Sequence, residues 1–363
     1  MRHDAHHVAD DRHGTPYKSW GSSVMPFKDA QIEMAHGAGG KASRRLVEGL
    51  IVPLLENPAL QSLGDAALLE LEGIKLAFTT DAFVVKPLRF PGGSIGDLAI
   101  NGTVNDLAVS GARPVALVSS LILEAGLPSD VLEREIRAMG EAAMRAGVKV
   151  VGGDTKVVEH GQADGMYITT AGIGLRDPRV TLDPHSLRPG DQVIVSGPIG
   201  DHGITILLAR GELDLEADLI SDTRSVWPFV QALLEVSAPG LRWMRDPTRG
   251  GVATSLNELA RDAKLGIVLS ESALPVRDEV RGACEILGLD PMHIACEGQF
   301  LAVIAAEFLE VALRALHSIP GGERAAVIGE ICADHPRTVV ARTGYGGSRI
   351  VDMLVGDPLP RIC

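Results

Sequence analysis

The chain has 363 residues, 45% of them hydrophobic and 22% charged, and carries a formal net charge of −13. That length and balance suit two globular domains, and the acidic excess argues against nucleic acid as a partner. No apolar run is long enough to cross a bilayer, and the first residues lack the basic-then-apolar layout of a secretory signal, so a cytoplasmic protein with no membrane partner is expected. Cys284, Cys296, Cys332 and Cys363 form no C-x-x-C pair and match no common zinc spacing; in a reducing compartment they are expected as thiols.

Residues 1–30 are polar and irregular and hold His3, His6, His7 and His13. They read as a disordered extension or as a nickel-binding segment. Leu46, Leu50 and Leu54 recur every four residues and predict a helix behind a run of glycines. Leu76, Phe78 and Thr80 alternate, predicting a strand that ends at Asp81. Leu132, Ile136, Met139 and Ala143 mark an amphipathic helix closing near Gly147. Val148, Val150 and Val151 predict a strand running into Gly152, Gly153 and Asp154, and a further strand is expected over 167–174. Residues 176–190 carry three prolines and read as the connection between a first domain, 31–178, and a second, 188–345. In the second, the pattern predicts a strand over 193–196, a helix behind Gly250 and Gly251, a strand over 301–305, a helix over 308–317 and a strand over 325–331. That succession argues α/β or α+β layers. Residues 346–363 leave the periodic pattern and are expected to form a tail.

Several short stretches carry chemistry. In the run from His36 to Lys41, Gly37, Gly39 and Gly40 precede the first helix. Glycines let backbone N–H groups approach phosphate oxygens, and Lys41 adds charge. A phosphate site and a simple helix-capping turn both fit this loop, which is neither a Walker A sequence nor a G-x-G-x-x-G fingerprint. Asp65, Asp81, Asp106 and Asp154 each lie beside Gly, Thr or Asn at expected strand or loop ends. One such residue alone reads as a turn or cap; four together point towards Mg²⁺, which takes hard oxygen ligands. Lys156 faces the same way as Asp154 if that segment is extended. Arg249, before two glycines, suits a phosphate or a surface salt bridge. Glu297, between Cys296 and Gly298, suits a base or an exposed loop acid. His202 suits an acid, a base or a structural hydrogen-bonding residue. Cys363 follows two prolines, Pro358 and Pro360, that discourage helix. It is an incidental thiol or a reactive one on an extended arm, whose eleven residues from Met353 span roughly 35 Å.

Taken together, AHGAGGK (35–41), GDAA (64–67), TTDAFVVKPL (79–88), NGTVNDLAVSGARP (101–114), GGDTKVVE (152–159), GDHG (200–203), RDPTRGG (245–251), CEG (296–298) and PRIC (360–363) closely resemble the HypE family of hydrogenase maturation factors. The resemblance covers residues 31–363, and PRIC is its most specific part. It implies a two-domain PurM-like fold, related to aminoimidazole ribonucleotide synthetase, with an N-terminal domain that forms a β-barrel with a second subunit, a C-terminal α/β domain and a flexible tail. It implies a homodimer that binds ATP and Mg²⁺. It also implies that HypF, a carbamoyltransferase, loads a carbamoyl group onto Cys363, that the group is dehydrated to a thiocyanate, and that a HypC–HypD complex accepts the cyanide. On this reading Asp65, Asp81, Asp106 and Asp154 hold the metal. Gly37, Gly39, Gly40, Lys41, Asn101, Asn105, Thr155 and Arg249 contact the nucleotide. Glu297 is the base, Lys156 orients the carbamoyl oxygen or stabilises developing charge, and His202 is held in reserve. A sister enzyme fits less well: a selenophosphate synthetase would place a reactive cysteine beside the glycine loop, and no cysteine precedes position 284. A carrier that binds a group without consuming ATP is the competing class.

Overall fold

The computed structural model describes residues 26–55, 57, 60, 63–211, 217–356, 359 and 361–363. The histidine cluster of the first thirteen residues lies outside the described residues. Behind the glycine turn come α1 (Lys41–Leu46) and α2 (Val52–Leu55), joined by a π-turn over Val47–Ile51. The four-residue leucine spacing belongs to this short helical segment.

The first sheet is formed by β1 (Ala67–Leu71), β2 (Ile74–Phe83), β5 (Ala112–Glu124), β6 (Lys149–Val158) and β7 (Met166–Arg176). A small ribbon of β3 (Arg89–Phe90) and β4 (Gly93–Ser94) stands apart. The sheet order is β1-β2-β7-β5-β6, antiparallel except for the parallel β5–β6 pair. The helices α3 (Ile95–Val109) and α4 (Ser129–Ala146) pack against each other, with α3 laid on β7, β2 and β5. On α4 one apolar stripe is buried, and Gly147 closes it at φ +69°, a backbone conformation glycine adopts without steric cost. Among the described residues nothing covers the opposite face of the sheet: Phe78, Val118 and Ile122 are exposed there.

The second sheet runs β14-β13-β10-β12-β8-β11-β9. Its strands are β8 (Gln192–Val195), β9 (Leu241–Arg245), β10 (Gly266–Ser270), β11 (Leu301–Ile304), β12 (Ala326–Cys332), β13 (Val339–Arg342) and β14 (Ser348–Val351). The accompanying helices are α5 (Asp201–Ala209), α6 (Trp227–Ser237), α7 (Gly251–Ala263), α8 (Asp278–Leu287) and α9 (Leu309–His317). Strand β14 carries the sheet past residue 345, where the pattern expected the tail to begin. Among the described residues no helix is long and apolar enough to cross a membrane.

Three expectations of local structure change here. Strand β2 runs on through Asp81 to Phe83, and Asp154 lies within β6. Asp106 is not at a strand or loop end; it lies in the last turn of α3. That helix is buried nearly all round, so it shows no polar stripe by which to read a 3.6-residue period.

Candidate active site between the sheets

Four carboxylates converge where the two sheets meet. Asp65 precedes β1, Asp81 lies on β2, Asp106 on α3, and Asp246 directly follows β9. Asp65, Asp106 and Asp246 each offer an oxygen within 4.8 Å of the others. On β2, Thr79, Asp81 and Phe83 point to the α3 side by the two-residue alternation of a strand, and a Cβ on Gly102 would touch the Phe83 ring and reach within 3.5 Å of the Asp81 carboxylate. Thr79 Oγ1 shares its hydrogen between the Asp106 carboxylate, 2.8 Å away, and the Asp65 carbonyl, 2.7 Å away. Arg245 bridges Asp65 at 3.0 Å and Glu258 at 2.8 Å.

The electrostatics of the cluster call for a cation. Burial, followed by the charges of Asp246, Asp65 and Asp81, pushes the Asp106 carboxyl well above its ordinary value. Burial and then Asp65 do the same to Asp246. Burial raises Asp65 and Asp81 as well, against the pull of Arg245 and Arg249 respectively. Crowded hard-oxygen donors that resist sharing negative charge are the donor set of Mg²⁺ or a similar ion. The residues therefore fit a divalent metal. The cleft above them, about 370 Å³, is also lined by Gly39, Gly40, Ser43, Arg44, Arg249 and Arg261.

A second cavity, about 580 Å³, adjoins it and contains Cys363, Ile362, Val84, Ala82 and Gly37. Arg249 lines both cavities. Although burial pulls its guanidinium down, the charges of Cys363, Asp81, Glu297 and Asp106 hold it above its ordinary value. The tail that brings Cys363 there is held by the body of the chain. Val84 N–H donates to the Cys363 carbonyl oxygen at 2.9 Å, Arg210 donates to the Arg361 carbonyl at 2.8 Å, and Arg361 pairs with Asp164 at 2.9 Å. Leu359 and Ile362 are buried.

The glycine loop stands between the two cavities, and protein contacts account for Gly39 and Gly40, whereas a Cβ on Gly37 would meet nothing within 4 Å. A Cβ on Gly39 would lie 2.6 Å from Arg249 Cβ, and one on Gly40 would lie 2.3 Å from the Leu354 carbonyl. Gly39 N–H donates to Ser43 Oγ and Lys41 N–H to the Leu354 carbonyl. The Lys41 ammonium pairs with Asp352 at 2.6 Å. Arg249 donates to the Gly37 carbonyl at 3.1 Å.

Glu297 is 3% exposed, and its Oε1 has no hydrogen-bond partner among the described residues. Burial, then the charges of Asp81, Asp246 and Asp222, push its carboxyl well above the ordinary value. One residue not singled out from the sequence supports it: Asp222 accepts from Glu297 N–H at 3.0 Å, and burial raises Asp222 itself to about 6. Asn105 acts as a clamp, donating to the Glu297 and Arg224 carbonyls and accepting from Val226 N–H. Asn101 donates to Thr223 Oγ1 at 3.2 Å. His202 is fully buried, with one ring nitrogen 2.8 Å from Ser221 Oγ and the other 2.6 Å from the Ile362 carbonyl. Both nitrogens being engaged, it is arranged as a hydrogen-bonding residue.

Asp154, Thr155 and Lys156 are not brought to this cluster within the chain. They lie on exposed β6, where Lys156 and Asp154 pair at 2.8 Å. Asp154 and Lys156 register with Ser120 and Ile122, on the uncovered face, whereas Asp81 faces α3. Strands β7 and β5 separate β6 from β2, a distance of roughly 14 Å. Thr155 points the other way, into a groove with Ile136 and Met139. Asp246 takes the place in the cluster that the sequence reading assigned to Asp154; its signal was present in the RDPTRGG stretch, as an acid at the end of a strand before paired glycines.

Comparison with known proteins decides the family. Models of the AIR synthase related protein match here, the N-terminal domain at residues 63–176 and the C-terminal domain at 188–341. The carbamoyl dehydratase HypE of Azotobacter vinelandii is 48% identical over 341 residues, covering 94% of this chain and all of that one. The chain belongs to the HypE family. It has the two-domain PurM-like α/β fold of HypE. A HypE–HypF complex superposes with a TM-score of 0.81 at 41% identity, covering 85% of this chain and 99% of that one. A HypE structure in complex with ATP superposes with a TM-score of 0.76 at 45% identity, covering 92% of this chain and all of that one.

Proposed function

We propose that this chain dehydrates a carbamoyl group carried on the sulfur of Cys363 to a thiocyanate, at the expense of ATP. The observation that carries the reading is the placement of Cys363 in a cavity that shares Arg249 with the four-aspartate cleft. The name of the Azotobacter relative, carbamoyl dehydratase, supports the reaction class, and the HypE structure with ATP supports the nucleotide. The HypE–HypF complex supports HypF as the partner that loads the carbamoyl group. A HypC–HypD complex would accept the product.

The chemistry follows from bonding. Oxide is too poor a leaving group to depart from a thiocarbamate unaided. The carbamoyl oxygen therefore attacks the γ-phosphorus of ATP, a P–O bond forms, and ADP leaves. The C–O bond then breaks as phosphate departs and C≡N forms. Two N–H protons are lost: Glu297 takes one and the other leaves with phosphate. Glu297, buried and with an unpartnered oxygen, is suited to accept a proton from a ligand N–H. Asp65, Asp106 and Asp246, with Asp81 beside them, would hold Mg²⁺, which neutralises phosphate charge when bound. Arg249 adds positive charge between phosphate and sulfur.

Asp154 and Lys156 would serve a second copy. The uncovered face of the first sheet, with Phe78, Val118 and Ile122 exposed, supports burial against another subunit. An intersubunit barrel closed there would carry Lys156 towards the partner's Cys363, where its ammonium stabilises charge on the carbamoyl oxygen.

The test is the intact mass of the C-terminal peptide after incubation with carbamoyl phosphate, ATP and HypF. A carbamoyl gain followed by loss of water is expected, with phosphate released only from carbamoylated protein. A carbamoyl adduct that never dehydrates, with no phosphate released, would overturn the reading in favour of a carrier.

A further inference from the structure

We propose that His202, set by Ser221, is the positioning residue that holds the Cys363 arm in its cavity. Hydrogen counting around the pair leads to this. Ser221 Oγ has one hydrogen, and it already accepts from Thr223 N–H at 3.1 Å. The Ile362 carbonyl only accepts, so the His202 Nε2 2.6 Å away carries a hydrogen and donates. Burial pushes the His202 imidazole down to about 4, so it is neutral and Nδ1 carries no hydrogen. The Ser221 hydrogen therefore goes to Nδ1 at 2.8 Å, and that bond in turn fixes the proton on Nε2.

The surroundings leave the ring little choice of orientation. Phe90 meets it edge-on at 5.6 Å between centroids, and the side chain has no exposed surface. Ser221 is anchored through its own N–H to the Pro91 carbonyl at 2.9 Å. The next residue, Asp222, holds the Glu297 N–H. Two adjacent residues thus place the candidate base and, through His202, the peptide that precedes the thiol. The Ile362 carbonyl is one bond from the Cys363 nitrogen, so a shift there moves the sulfur directly.

The consequence for turnover rests on the function proposed above; the positioning claim does not. The first readout is therefore alkylation of Cys363 by iodoacetamide in the full chain, followed by peptide mass, with Cys332 as the internal control. His202→Leu removes the donor, and Cys363 is expected to label roughly fivefold faster or more, the worth of one lost hydrogen bond, with Cys332 unchanged. His202→Gln can still donate to Ile362 and should restore most of the slow labelling. Ser221→Ala tests the same bond with a smaller change, should the leucine variant fail to fold, and should also speed labelling. Wild-type labelling rates in both His202→Leu and Ser221→Ala would overturn the proposal. The second readout is single-turnover dehydration of pre-carbamoylated protein, whose rate should fall while the KM for ATP holds. Faster labelling with undiminished dehydration would uphold His202 as the hold on the arm and overturn the reading that the docked thiol is the reacting handle.

Discussion

In the second sheet, Val193, Ile194 and Val195 of β8 and all four residues of β11 are buried, because helices and neighbouring strands enclose them. In the first sheet, β6 is exposed along nearly its whole length, with Val151 at 65% and Val157 at 66%, although four of its ten residues are valine. Two stretches with the same preference for strand thus end in opposite environments. The closed sheet supplies Asp246 and leads to Glu297, groups that are in place within one chain. The open sheet presents Asp154 and Lys156 on a face that no described residue covers. The difference separates chemistry that a lone chain holds ready from chemistry that awaits assembly.

The sharpest test of the closed side is Glu297→Gln. Loss of the base is expected to slow conversion of carbamoylated to cyanated Cys363 by on the order of a hundredfold or more, read by single-turnover mass spectrometry. A normal rate would remove Glu297 from the mechanism. The packing of the closed sheet is tested next by Ile194→Ala, which empties a fully buried position and should cost about 2–5 kcal/mol in urea unfolding.

The His202 contribution should show in acid. Its folded value of about 4 lies below the ordinary 6.5, so between these the unfolded chain binds the extra proton. Stability from this group is complete above pH 6.5 and falls by about 1.4 kcal/mol per pH unit down to about 4. His202→Gln should lack that slope when the two proteins are unfolded side by side; identical pH profiles would contradict the buried neutral ring.

On the open side, Val118→Glu would set an unpaired charge in the proposed interface. A dimer should then sediment as a monomer, with turnover lowered at least about tenfold as Lys156 is withdrawn from its partner. A monomer with full turnover would break the contrast between the two sheets. The smallest effect belongs to Val151→Ala, which should change the stability of an isolated chain by no more than about 0.5 kcal/mol.

Much of this was legible in the residues. The amphipathic helix ending at Gly147, the strands through Leu76 and Leu301, and the linker prolines follow from local periodicity and backbone preference, which act over a few neighbours. The family resemblance rests on stretches short enough to read directly. Less could be read where burial removes the pattern: α3 is buried nearly all round, its asparagines included, so Asp106 looked like a loop residue. The glycines at 39 and 40 announced a close approach, but not that Arg249 and Leu354 are what approach.

Composition and spacing by themselves determined two α/β units, an acidic set suited to a divalent metal, and a cysteine behind prolines, because these depend on residue type and local order. Tertiary structure alone decided that Asp246 joins Asp65 and Asp106, that Asp154 and Lys156 point away from them, and that His202 grips the peptide beside Cys363. Such facts depend on which face of a strand meets which helix across more than a hundred residues, and a pattern of neighbours along the chain carries no record of that.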